Sequence, residues 1–83
     1  MKYFVLKLLT NKETKEPNKS VYEFKTEKEA RINLYAGYSA ALNDSSLEQI
    51  LCMLIDNYGS QLATLNWVER DTSVNNLDDG LSL

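Results

Sequence analysis

The chain contains no histidine among its 83 residues. That absence removes the Ser-His and Cys-His nucleophile pairs, the usual general base, and most imidazole-ligated metal sites. A single cysteine, Cys52, leaves no internal disulfide framework and no multi-cysteine zinc site. It lies in the most apolar stretch, where a free thiol serves as a small core residue. Of the three glycines, Gly37 and Gly59 stand too far apart to cradle a phosphate. No metal-ligand spacing, phosphate loop or nucleophile elbow is present. The adjacent acids Asp78 and Asp79 read as solvated charges rather than a cation site. No apolar run reaches the ~20 residues that span a bilayer. The opening MKYFVLK looks superficially like a signal peptide, but Lys7 interrupts it and no small-residue cleavage site follows. These absences predict a non-enzymatic, cytoplasmic protein with no cofactor and no metal.

Length predicts one domain over residues 1–70, with an acidic tail over 71–83. A chain this short buries only about 60% of its unfolded surface, so a second subunit would help it. Its net charge of −3 is unevenly placed. Residues 1–31 hold eight Lys/Arg against five acids, net +3; residues 32–43 hold no charge; residues 44–83 hold one Arg against seven acids, net −6. Such asymmetry suits head-to-tail pairing, or simply ordinary solvated faces.

The organising stretch is QILCMLIDNYGSQLATLNW. Residues 50–55 are apolar at every position, so alternation places Leu51, Met53 and Ile55 on one side and Ile50, Cys52 and Leu54 on the other. A strand oily on two faces belongs inside a sheet. Asp56-Asn57-Tyr58-Gly59 supplies a turn, with Gly59 at a left-handed position. The return strand, 61–70, sets Ala63, Leu65 and Trp67 toward the core and Leu62, Thr64, Asn66 and Val68 on a wetter face. Residues 2–11 form another inner strand. Residues 11–19 form a charged loop punctuated by Pro17, and 20–25 a short edge strand.

Thr26-Glu27-Lys28-Glu29 is a capping box that opens a helix over 27–43, ~25 Å long. Its apolar stripe is Ala30, Leu34, Gly37, Tyr38, Ala41 and Leu42. Gly37 in mid-helix costs about 1 kcal/mol against Ala, which close approach to the sheet would explain. The predicted fold is α+β: β-β-α-β-β, a four-stranded antiparallel sheet in the order 2-1-3-4 with one helix on one face. One helix cannot cover two faces of four strands. The surplus apolar surface therefore predicts a protein partner, a second copy included. Candidate interface residues are Ile32, Ala36 and Ala40 on the uncharged helix side, Tyr35 at the edge of the apolar stripe, Val5 and Leu9 on the first strand, and Leu77 and Leu81 in the tail. A nucleotide-like small molecule enclosed by a dimer is the alternative, with Lys28, Arg31, Tyr38 and Arg70 as candidate ligands. Nucleic acid is disfavoured: Tyr3, Tyr22 and Phe24 could stack bases beside Lys2, Lys7 and Lys25, but they read better as core aromatics, and the sequence pI near 4.8 lacks a basic footprint.

The segments EKEARINLYAGYSAALND and LCMLIDNYGSQLATLNW resemble small uncharacterised proteins encoded by phages and mobile elements of Gram-positive bacteria. The likeness spans about residues 3–69: a leading strand, a helix with a Tyr-Ala-Gly-Tyr middle, then strand, Asp-x-x-Gly turn, and a strand ending in Trp. It transfers no activity. It implies a context in which small non-enzymatic proteins bind host or defence factors or defence signals, or assist virion assembly.

Overall fold

The computed structural model describes residues 1–69. Its elements are β1 (Tyr3–Asn11), β2 (Pro17–Phe24), α1 (Glu27–Leu42), β3 (Leu47–Asp56) and β4 (Gln61–Val68). The strands form one antiparallel sheet in the order β2-β1-β3-β4, with α1 across one face, as the alternation and capping signals predict. The two strands with apolar residues on each side, β1 and β3, are the inner pair.

Local chemistry fixes the joints. Thr26 has extended backbone and its Oγ1 accepts from the Glu29 amide at 3.2 Å. Glu29 returns to the Thr26 hydroxyl, which donates to Oε1 at 3.1 Å, rather than to the Thr26 amide that the capping box predicts. In the β3–β4 turn, Asp56 Oδ1 accepts from the amides of Tyr58 (2.8 Å) and Ser60 (3.0 Å). Gly59 has φ +85°, which strains a side-chain-bearing residue and not glycine.

Strand β3 begins at Leu47, two residues before the predicted start, and two larger departures bear on the surface. Strand β2 begins at Pro17, opposite Thr10, so the predicted loop is shorter. Asn11 makes that possible by accepting the amides of Glu13 (2.8 Å) and Thr14 (3.2 Å), a side-chain turn that reverses the chain at once. A proline fits here because an edge strand has an outward side that needs no donor. In β4, the register jumps from Leu54–Ala63 to Ile55–Gln61. This bulge frees Leu62 from the predicted wet face, and it packs against the core instead.

The core lies between helix and sheet. Val5, Ile50, Cys52 and Leu54 meet Ala30 and Leu34, all fully shielded. Tyr3, Phe24, Leu65 and Trp67 pack around them. Gly37 lies over β1, where Lys7 rises from the sheet: a Cβ at Gly37 would come within 2.6 Å of Lys7 Cε. The close approach that the glycine predicts is therefore to a lysine stem. Its ammonium ends 4.9 Å from the centre of the Tyr22 ring. The stem stays dry and the charge reaches an aromatic face.

Candidate functional site

The face opposite α1 is built by alternation. Register places Phe4 beside Ile55, Leu6 beside Met53 and Leu8 beside Leu51. These six side chains are only half-buried, and none belongs to the core cluster. Val21 on β2 and Val68 on β4 extend the strip, and both are more than half exposed. Among the described residues no second layer lies over it. At one end Leu8, Thr10, Pro17, Gln49 and Leu51 line a depression of about 390 Å³. The Lys15–Glu48 ion pair, 2.6 Å between Nζ and Oε1, stands at its rim. Glu48 reaches there because it is skipped in the β1–β3 register, which passes from Thr10–Gln49 to Asn11–Leu47.

The expected interface residues are split. Val5 is fully buried and Leu9 packs against the core, because α1 chose the face that carries them. Val5 is therefore not available for contact, and Leu9 keeps part of its surface but on the helix side, whereas Phe4, Leu6 and Leu8 lie on the open face. Ile32, Ala36 and Ala40 lie exposed on the outer side of α1, Ile32 at 61%. Leu77, Leu81 and Arg70 lie outside the described residues, as does the predicted tail.

Of the candidate ligand residues, the fold brings two together with Tyr35 on the helix flank that faces β4. Arg31 donates from Nε to Glu27 Oε2 at 2.7 Å and from Nη1 to the Tyr35 hydroxyl at 3.5 Å. These bonds hold the guanidinium more firmly protonated than usual, Glu27 contributing most. Tyr38, one helical turn beyond Tyr35, donates its hydroxyl to the Asn66 carbonyl of β4 at 2.9 Å. Lys28 is exposed on the first turn and has no ion pair among the described residues. On the other flank, Asn33 Oδ1 is closed off from solvent without a hydrogen-bond partner. Tyr3 and Phe24 pack on the core, so they form no open stacking platform.

Cys52 is fully buried, and burial pushes its thiol pKa up, with nearby Lys7 opposing the shift. It is a packing residue and not a reactive one. Among the described residues no three metal-ligating side chains stand together, and no helix is long and apolar enough to cross a membrane. What the geometry offers is a surface: an apolar strip with a notched end, and an aromatic helix flank. Comparison with protein-family models, curated proteins and solved structures finds no match.

Proposed function

We propose that this chain is a non-enzymatic, cytoplasmic binding protein that acts as a homo-oligomer, and that the open sheet face is the surface its protein partner covers. The observation that carries this reading is the double row Phe4, Leu6, Leu8 and Leu51, Met53, Ile55, which lies outside the core cluster. Contiguous apolar surface of this kind marks interaction sites. The resemblance to phage and mobile-element proteins directs the search toward host and defence factors. The test compares the full chain with Leu6→Glu/Met53→Glu in affinity capture from a Gram-positive lysate. Specific capture by the unaltered chain that the folded double variant loses is the expected result. Capture unchanged by two charges on this face overturns the reading.

The alternative, a sponge for a nucleotide-like signal, is favoured by the Arg31–Tyr35 pair beside Tyr38. Thermal-shift screening against cyclic dinucleotides and NAD-derived molecules separates it: stabilisation that Arg31→Ala abolishes supports it, and no shift with any of them removes it.

A further inference from the structure

Among the described residues β2 and β4 are the two borders of the sheet, and they are chemically unlike. β2 carries Pro17, Lys19 and Glu23, the devices by which proteins keep a strand edge from pairing. β4 carries none: Gln61–Val68, QLATLNWV, has eight residues with neither charge nor proline. The backbone of β4 can be oriented from two bonds. The Glu69 amide donates to the Glu48 carbonyl at 2.8 Å, so that pair faces inward. Antiparallel ladders alternate, so Leu65 and Trp67 also bond to β3, while Thr64, Asn66 and Val68 turn their amides and carbonyls outward. The Tyr38 hydroxyl on the Asn66 carbonyl agrees, because only an outward carbonyl is open to it. That carbonyl keeps a second lone pair.

We infer that β4 pairs antiparallel with β4 of a second copy, across a two-fold axis at Asn66. This deepens the homo-oligomer part of the proposed function and rests on it; the site for another protein is a separate matter. In this register Thr64 meets the partner's Val68, Asn66 meets the partner's Asn66, and Leu65 meets the partner's Trp67. About six main-chain hydrogen bonds form, all from groups that now face outward. Leu65 and Trp67 make an aliphatic–aromatic cross-strand pair twice over, on the helix side. Tyr35 and Leu42, each about half exposed on the β4 flank of α1, lie beside the seam. No charged side chain within β4 faces its like. β2 paired with itself would instead lose donors at Pro17 and confine Lys19 and Glu23 at the seam. The two-fold axis stands perpendicular to the sheet, so the two helices share one face and the two apolar strips join on the other.

The register gives a charge-swap test, because only Asn66 meets itself. The full chain, Asn66→Lys and Asn66→Asp are compared by sedimentation over a dilution series up to about 100 μM, from which each dimer's Kd is read, with circular dichroism as the folding check. The expected result is a dimer for the unaltered chain, at least a tenfold weaker dimer for each variant alone, and recovery in the equimolar mixture of the two. A monomeric unaltered chain overturns the inference, as does a dimer that either variant leaves unchanged. Leu6→Glu/Met53→Glu separates the two ideas: this face variant should lose partner capture and keep the dimer, whereas Asn66→Lys should lose the dimer and keep capture, and loss of the dimer in the folded face variant overturns the edge pairing.

Discussion

The two faces of this sheet are made from the same strands and nearly the same residue types, yet they differ in state. Toward α1, Val5, Ile50, Cys52 and Leu54 are fully shielded. Away from it, Leu6, Leu8, Leu51 and Met53 keep part of their surface in water. The difference comes from one 16-residue helix and not from hydrophobicity along β1 or β3. A residue's oiliness thus says little here about what it stabilises; what lies above it decides. That separation of composition from burial gives four measurements.

The largest contrast is in thiol chemistry. Cys52 should react with a maleimide or disulfide reagent at least a hundredfold more slowly than a cysteine placed by Met53→Cys in a Cys52→Ala background, because access to Cys52 requires opening of the core. Its raised pKa acts in the same direction, since the thiolate is the reactive form. Equal rates would mean that the helix does not seal its face, and slow reaction at both positions would mean that the second face is covered in solution.

Next comes stability. Leu54→Ala should cost about 3 kcal/mol by denaturant unfolding, the usual loss for a fully buried leucine. Met53→Ala, one residue along and on the other face, should cost about 1 kcal/mol. Equal losses would erase the distinction between the faces.

A subtler test addresses how the helix seats itself over a lysine. Gly37→Ala should be close to neutral, since the helix-propensity gain of about 1 kcal/mol is offset by displacement of Lys7 from the Tyr22 ring. In a Lys7→Ala background the same change should give nearly the whole gain. A full gain with Lys7 present would show that the ammonium contributes nothing where it sits.

The smallest effect lies at the joint between α1 and β3. Asp44 Oδ1 accepts from the Ser46 hydroxyl (2.6 Å) and amide (2.9 Å), and these bonds hold its carboxyl below the usual aspartate pKa. A carboxyl depressed in the folded state adds stability above its unfolded pKa, and that contribution fades as pH falls through the folded value. Ser46→Ala should raise the Asp44 pKa, read by carboxyl NMR titration, and should lower stability at pH about 6 while leaving it nearly unchanged at pH about 2, where the carboxyl is protonated in both proteins.

Element order, the inner and outer strands, the cap at Thr26 and the turn at Gly59 were legible because each is a local signal: alternation, a capping spacing, a positive φ. Three features were not. The helix could have settled on either face of β1, since Val5 and Leu6 look alike to a pattern; Val5, a candidate for an interface, therefore lies in the core, and Leu9 packs against it. The bulge that turns Leu62 inward depends on pairing with β3 and leaves no mark in QLATLNWV. Pro17 reads as a loop residue unless the outward side of an edge strand is already known. For the candidate surface, the presence of an uncovered apolar face followed from counting elements, and its membership did not. The unguarded border was readable from the missing charges at 61–68, once β4 was known to be a border.

Pro17 and Lys19 also bear on how far an assembly of this protein can grow. A ribbon with two sticky margins adds copies without limit and becomes a fibre. With one margin blunted, joining through β4 would use up the one unblunted strand edge among the described residues, and growth along the sheet would terminate at a pair.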